Sequence, residues 1–148
     1  ILFGRIAHGR ANAETRIAGA IAEVLDQLGL RESVIDVGLE YQVGVAGKRL
    51  SAVQRQKLAL GRALMKRPDL LVVDQATAIM DGQTQARIMQ RVLQERGQGG
   101  LIWVLHRAQL AERFERVVVV DAGQIAEDGG YAELAGSGGA LDRLIADD

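Results

Sequence analysis

Three short apolar runs alternate along this chain with longer stretches of helical spacing, and this alternation most constrains its fold. The runs are LLVV (70–73), LIWVL (101–105) and the valines of RVVVV (116–120). Apolar runs of this length are typical of strands, and we expect the first two to be fully buried. The turn DAGQ (121–124) predicts a hairpin after the third run. Strands that alternate with helices indicate an α/β fold with a largely parallel sheet.

Three other segments carry the signals of helices. Residues 13–28 and 83–96 each place their apolar side chains on one stripe. Ser51 and Gln54 have capping-box spacing, in which each side chain bonds a free backbone N–H of the first helical turn. The only proline, Pro68, ends the helix that Ser51 begins.

Composition excludes several kinds of site. The 148 residues include no cysteine and two histidines, which excludes disulfides, thiolate metal sites and a His-only zinc site. The net charge is −1 and aromatic residues make up 3%, so nothing favours a nucleic-acid partner. No apolar stretch approaches the roughly 20 residues that a membrane-spanning helix needs.

Two ionisable residues follow the first two predicted strands directly. Asp74 ends LLVVD and His106 follows LIWVL. Ligands of open parallel sheets bind outside the carboxyl ends of the strands, so neighbouring strands would bring these side chains to one edge. A carboxylate there suits Mg²⁺, and a histidine there can bond a phosphate oxygen. An aspartate after an apolar run is also common as a turn residue or helix cap, and the pair alone leaves both interpretations open.

The order of the motifs resembles the nucleotide-binding domain of ATP-binding-cassette (ABC) transporters, in the exporter-type pattern. LSAVQ (50–54) resembles the LSGGQ signature, and LLVVD (70–74) resembles Walker B. ATAIMD (76–81) is similar to the D-loop, and His106 matches the switch histidine. The opening ILFG (1–4) resembles the segment after the Q-loop, so the resemblance covers essentially the whole chain.

The resemblance implies a partial P-loop NTPase (RecA-like) core with a parallel sheet, joined to the ABC helical subdomain. Residues 1–50 would be the helical subdomain, and residues 51–148 the C-terminal part of the core. The phosphate-binding loop G-x-x-x-x-G-K-[ST] is absent from the 148 residues. The family places that loop before the Q-loop, so we expect the chain to be the C-terminal part of one longer nucleotide-binding domain.

For the ATP-binding site, the resemblance implies roles for three residues. Asp74 would hold Mg²⁺ through water, and His106 would contact the γ-phosphate of ATP. Gln75 departs from the family, because glutamate usually follows the Walker B aspartate and activates the attacking water. An amide can orient a water by hydrogen bonding, but it cannot accept a proton at neutral pH. We therefore expect a site that binds ATP and hydrolyses it poorly.

For the pairing of two such domains, the resemblance implies roles for the signature and the D-loop. Ser51, Ala52, Val53 and Gln54 would face the ATP that the partner domain holds. Asp81 would cross the dimer interface. Alanine and valine replace the two signature glycines, and their side chains would crowd the phosphate. The same residues are also explained by a well-capped helix with no ligand.

The function implied is the ATP-binding and hydrolysing domain of a transporter, at the cytoplasmic face of a membrane. Its partners would be the N-terminal remainder of the domain, a second nucleotide-binding domain in a head-to-tail dimer, and transmembrane domains. This chain alone is not expected to be active. Two alternatives remain: a non-hydrolysing regulatory half-site, and an unrelated small α/β interaction domain. Gln75 itself fits an engineered substitution that traps bound ATP by preventing its hydrolysis, or a natural variant whose paired site performs hydrolysis.

Overall fold

The computed structural model describes residues 11–31, 38, 40–96 and 99–148, and leaves the expected post-Q-loop segment outside the described residues. In chain order, the elements are α1 (Ala11–Gln27), a 3₁₀ helix (Val45–Gly47), α2 (Ala52–Met65), β1 (Leu70–Asp74), α3 (Gly82–Arg96), β2 (Gly100–Val104), a second 3₁₀ helix (Ala108–Arg113), β3 (Val117–Asp121), β4 (Gln124–Gly129), α4 (Tyr131–Leu134) and α5 (Ala140–Ala146). β1 and β2 pair in a parallel sheet across α3, which confirms the α/β class.

Close contacts divide the chain into two compact units, one ending at Trp103 and the other comprising Val104–Asp148. This division follows packing within the chain. The boundary at residue 50 between a helical subdomain and a RecA-like core stays a prediction. Among the described residues, no helix combines the length and apolar character needed to cross a membrane.

In the first unit, α1 packs closely on α2 because a glycine lies at their contact. A Cβ atom on Gly61 would come within 2.9 Å of Val24 and 3.0 Å of Leu28. Gly29, with φ of 61°, ends α1 in the left-handed conformation that glycine adopts without strain. The core of this unit joins residues of the helices, of β1 and of the connections beside them: Leu25, Leu28, Leu30, Leu60, Leu71, Val73, Met80, Ile88 and Val92.

β1 is buried on one face only, so the expectation of full burial was wrong. Leu71 and Val73 lie in the core, whereas Leu70 and Val72 are 54% and 56% exposed. On β2, Ile102 is 52% exposed. Alternate residues of a strand point to opposite faces, and only one face of this sheet carries the core of the first unit. Because every residue of LLVV (70–73) is apolar, the sequence shows no alternation that would predict one exposed face.

Arg96, in the last turn of α3, ties together the amino ends of both strands of this sheet. Its Nη1 donates to the carbonyl oxygen of Pro68 at 2.6 Å. Its Nη2 donates to the carbonyl oxygens of Asp69 at 3.0 Å and Gly100 at 2.6 Å. These three carbonyls come from the segments that enter β1 and β2, so one guanidinium sets the spacing of the two strand ends.

The second unit is built on the predicted hairpin, in which β3 pairs antiparallel with β4. Val119 packs with Ala140 and Leu141 in a separate small core. At the open end of the hairpin, Arg116 donates from Nε and Nη2 to the two carboxylate oxygens of Asp128, at 2.7 and 2.6 Å. This planar two-bond arrangement holds the strand ends together at the surface.

Asp81 begins α3 and caps it. Its Oδ1 accepts a hydrogen bond of 2.8 Å from the backbone N–H of Thr84. Hydrogen bonds from Thr84, first from its side chain and then from its backbone, lower the pKa of Asp81 below its ordinary value of 3.8. The ionised carboxylate is therefore the form that the folded chain favours at this position.

Replacing Arg96 with methionine should lower the free energy of unfolding, because methionine offers no donor to the three carbonyl oxygens. Hydrogen bonds to charged groups contribute about 1.5–3 kcal/mol each, and partial exposure reduces this, so we expect a total loss of about 2–4 kcal/mol. Urea denaturation of the 148-residue chain measures it. Arg91→Met, exposed on the same helix, is the control and should change stability by less than about 0.5 kcal/mol. Equal effects of the two substitutions would contradict the role of Arg96.

Replacing Asp81 with asparagine should remove a pH-dependent part of the stability. Because folding lowers the pKa of Asp81, its contribution is present above the unfolded value of 3.8 and is lost as pH falls through the folded pKa. The difference in unfolding free energy between the parent chain and Asp81→Asn should therefore shrink on acidification. Urea denaturation at a series of pH values measures the difference, and an NMR titration of the Asp81 carboxyl provides the pKa. A measured pKa at or above 3.8 would refute this assignment.

Candidate functional site

The candidate site begins at the carboxyl end of β1. Asp74 is the last residue of the strand and its side chain is exposed. Gln75 follows with φ of 53°, in the left-handed region that non-glycine residues avoid at a cost of about 1–2 kcal/mol. The N–H of Ala78 donates to the carbonyl oxygen of Gln75 at 3.1 Å. The chain thus turns sharply directly after the carboxylate, and such outliers are frequent at functional positions.

The segment from Gln75 to Asp81, here called the β1–α3 turn, is held from within. The N–H of Met80 donates to the carbonyl oxygen of Thr77 at 3.0 Å, and Met80 itself is buried. The side-chain amide of Gln85, on α3, donates to the same carbonyl oxygen of Thr77. The structure therefore places Gln75 and Asp81 on one short, internally bonded segment that begins directly after Asp74.

Gln85 belongs to none of the sequence motifs, although its position in the helix carries a signal. Gln85, Ile88, Met89 and Val92 are the buried residues of α3, and their spacing is that of one helical stripe. A polar residue in the register of a buried stripe indicates a buried hydrogen bond. The apolar members alone define the stripe in the sequence, and Gln85 extends it by one turn.

The signature segment forms the N-terminus of α2 with the predicted capping box. The N–H of Gln54 donates to Ser51 Oγ at 3.1 Å, and the N–H of Ser51 donates to Gln54 Oε1 at 2.8 Å. Ser51 Oγ accepts in this box, so its hydroxyl hydrogen remains available to a ligand oxygen. Ala52 is exposed, while Val53 is partly buried and packs against the core of the first unit. The bulkier of the two replacements therefore directs its side chain into packing.

Lys57 lies about one turn beyond the signature segment on α2, and its charge interacts with that of Asp81 at the end of the β1–α3 turn. Its Nζ donates to the carbonyl oxygen of Gly29 at 3.5 Å. Partial burial, followed by the charge of Arg87, lowers the pKa of Lys57, and the charge of Asp81 opposes this effect. Lys57 therefore lies within electrostatic reach of Asp81, at the start of α3, and of Arg87, on α3 itself.

His106 lies in the second unit, is exposed, and follows the end of β2 by two residues. The expectation that it shares an edge with Asp74 stays a prediction. Among the described residues, no cluster of three or more His, Cys, Asp or Glu side chains could hold a metal ion. The single carboxylate of Asp74 fits Mg²⁺, which is usually bound through one or two carboxylates, water and substrate phosphates. A structural metal cage does not fit these residues.

The relatives found by comparison with known proteins are similar in kind to one another. No family model matches the chain. The chain is 36% identical to a multidrug efflux ATP-binding/permease protein of Mycobacterium bovis over 144 residues, 95% of this chain and 12% of that protein. It is 38% identical to an ATP-dependent lipid A-core flippase of Pseudomonas savastanoi pv. phaseolicola over 149 residues, 99% of this chain and 24% of that protein.

A solved structure of a bacterial Atm1-family ABC exporter with ATP bound has a similar fold. The TM-score is 0.82 with 23% sequence identity, over 99% of this chain and 25% of that chain. The chain thus spans a quarter or less of the length of each of these proteins. The chain belongs to the ABC transporter family and matches the C-terminal part of the nucleotide-binding domain of its exporter-type members.

Proposed function

We propose that this chain is part of the ATP-binding and hydrolysing domain of an ABC exporter, at a site where Gln75 slows hydrolysis. The observation that carries the proposal is the pair Asp74 and Gln75 at the carboxyl end of β1. Gln75 has a left-handed backbone conformation and begins the turn that leads to Asp81. Family membership removes the alternative of an unrelated α/β interaction domain. The substrate that is transported is recognised by other parts of such a protein.

Asp74 binds Mg²⁺ of the nucleotide through water in this proposal. When bound, Mg²⁺ neutralises charge on the phosphates of ATP. The exposed carboxylate accepts hydrogen bonds from the water ligands of the ion, and its position at the strand end is fixed by the burial of Leu71 and Val73. His106 contacts the γ-phosphate, with its imidazole as a hydrogen-bond donor.

Gln75 occupies the position of the residue that activates water. Its amide oxygen accepts a hydrogen bond from the attacking water and so orients it, but the amide takes no proton. The left-handed backbone at Gln75 and the hydrogen bond from Ala78 to its carbonyl oxygen support a fixed position for the Cα atom from which the side chain extends. The expected result is a nucleotide that binds normally and a chemical step that is slow.

The signature segment binds the ATP of a second domain in a head-to-tail dimer. Ser51 donates its hydroxyl hydrogen to a phosphate oxygen, beside the positive N-terminal end of α2. Ala52 and Gln54 flank it, and the inward packing of Val53 supports access for the phosphate. Asp81 crosses to the second domain, at the start of α3.

The sheet has an exposed apolar face, which favours contact with another part of the same domain. Leu70, Val72 and Ile102 are each about half exposed on adjacent parallel strands. We assign this face to contact with the N-terminal remainder of the same domain, which also supplies the phosphate-binding loop. The complete protein then lies with this domain at the cytoplasmic face of a membrane, joined to transmembrane domains.

A second candidate function is a regulatory half-site that binds ATP without hydrolysis while a paired site performs the chemistry. Gln75 favours this candidate specifically, because an amide preserves the reach of a glutamate and lacks its basicity. Phosphate release measured separately at the two sites of the assembled transporter distinguishes it from a slow but active site.

Substituting threonine for both Val72 and Ile102 should reduce self-association of the isolated 148-residue chain, because exposed apolar faces associate in water. Sedimentation of the parent and the double variant at equal concentrations measures this. Val73→Thr is the control, since it buries a hydroxyl in the core, should cost about 1–3 kcal/mol and leaves the exposed face intact. A parent chain that stays monomeric at high concentration would count against the assignment of this face.

Substituting glutamate for Gln75 in the complete transporter should raise phosphate release by about 10²–10⁴-fold, the usual contribution of general-base catalysis. ATP affinity should stay within about threefold, because Asp74, His106 and the phosphate loop are unchanged. Gln75→Leu, of similar size and without a polar group, is the control and should hydrolyse no faster than the parent. A parent protein that hydrolyses at this site as fast as Gln75→Glu would show that Gln75 is not the limiting residue.

A further inference from the structure

Gln85 is a buried amide on the apolar stripe of α3. Its side chain is 3% exposed, and Thr77 is the other polar residue that is buried in the described part of the chain. Burying an amide without a hydrogen-bond partner is costly, so a glutamine in this position is stable only if its polar atoms are bonded. The partner of Gln85 therefore indicates what the residue does.

That partner is the middle of the β1–α3 turn. Nε2 of Gln85 donates to the carbonyl oxygen of Thr77 at 2.5 Å, in the interior of the protein. The same oxygen accepts the N–H of Met80 at 3.0 Å, so both acceptor directions of this carbonyl are used. The backbone N–H of Gln85 donates in turn to the carbonyl oxygen of Asp81 at 2.9 Å. One residue of α3 thus holds both the centre and the end of the turn.

The turn needs such support because its first residue is strained. Gln75 adopts φ of 53°, and a non-glycine residue persists there only when its surroundings determine the conformation. The bonds from Ala78 to Gln75 and from Met80 to Thr77 both lie within the turn, so neither of them ties the turn to another element. The bond from Gln85 is buried and anchors the turn to a helix of fifteen residues.

We propose that Gln85 is a positioning residue, whose side-chain amide holds the β1–α3 turn in the conformation that sets Gln75 and Asp81. The proposal rests on the proposed function for the roles of those two residues. Gln85 touches neither nucleotide nor water; it acts by fixing the backbone of Thr77. Loss of this bond leaves the fold intact and gives the turn several conformations, which misplaces Gln75 and Asp81.

The test substitutes methionine for Gln85 in the complete transporter, alone and together with Gln75→Glu. Methionine has similar length and fills an apolar stripe well, so the core should stay folded while the donor is lost. The matched control is Gln90→Met, on the exposed face of the same helix. Hydrogen exchange of the peptide that covers residues 75–81, and phosphate release against ATP concentration, are measured for each variant.

We expect the amides of the turn to exchange about tenfold faster in Gln85→Met, which corresponds to a weakened local structure. The maximal rate of phosphate release should fall about ten- to a hundredfold. The ATP concentration at half-maximal rate should change by less than about twofold, because groups that bind ATP are unaffected. Gln90→Met should leave all three quantities unchanged. A purely structural role would lower stability without this separation of the two kinetic constants.

Two results would overturn the proposal. Unchanged hydrogen exchange of residues 75–81 in Gln85→Met would show that the amide does not hold the turn. Faster exchange with an unchanged maximal rate would show that the turn does not position the reacting groups. If Gln85→Met fails to fold, the side-chain amide protons of Gln85 in the parent decide: exchange as fast as that of the exposed Gln90 side chain would show that the amide does not hold Thr77.

The experiments distinguish failure of the proposed function from failure of the proposed role of Gln85. If neither the parent nor Gln75→Glu releases phosphate at this site, the proposed hydrolysis fails. Hydrogen exchange then decides on Gln85 alone: faster exchange of the turn in Gln85→Met supports the anchoring bond, and unchanged exchange refutes it.

Discussion

The burial of alternate side chains of β1 against the helices of the first unit is the constraint on which the candidate site depends. Leu71 and Val73 are fixed in the core, so the next residue in the strand, Asp74, points to the opposite, exposed side. A shift of one residue would place Asp74 in the core and Val73 at the surface. The free energy of burying two aliphatic side chains thereby determines where the carboxylate lies.

Sequence patterns predicted the local features well because each depends on neighbours within a few residues. The capping box at Ser51 and Gln54 is a contact over three residues, and the hairpin of β3 and β4 turns within the four residues DAGQ (121–124). The half-exposed sheet was not predicted, because Leu70 and Leu71 look equally apolar in sequence. Its exposure depends on what covers the sheet, which no local pattern encodes.

Long-range contacts of polar side chains were the other features that the sequence did not reveal. Arg96 bonds carbonyl oxygens 27 and 28 residues earlier, and backbone carbonyls carry no residue-specific signal. In motif terms, Arg96 is a basic residue in the last turn of a helix, where a cation favours the helix dipole. The left-handed conformation of Gln75 was equally hidden, because glutamine is not a residue that indicates positive φ.

Geometry and basicity are separable properties of a hydrolytic site, and the proposed role of Gln75 rests on that distinction. The left-handed backbone at Gln75, the capped start of α3 at Asp81 and the buried amide of Gln85 each constrain the conformation of the β1–α3 turn. A glutamine preserves the length and the hydrogen-bonding reach of a glutamate and removes only the ability to take a proton. Glycine at this position would adopt the same backbone conformation without steric strain, but it would lose more conformational entropy on folding and offer no side chain to the site. Under the proposed function, a long polar side chain at this position keeps the reach needed to orient a water or the nucleotide without acting as a general base.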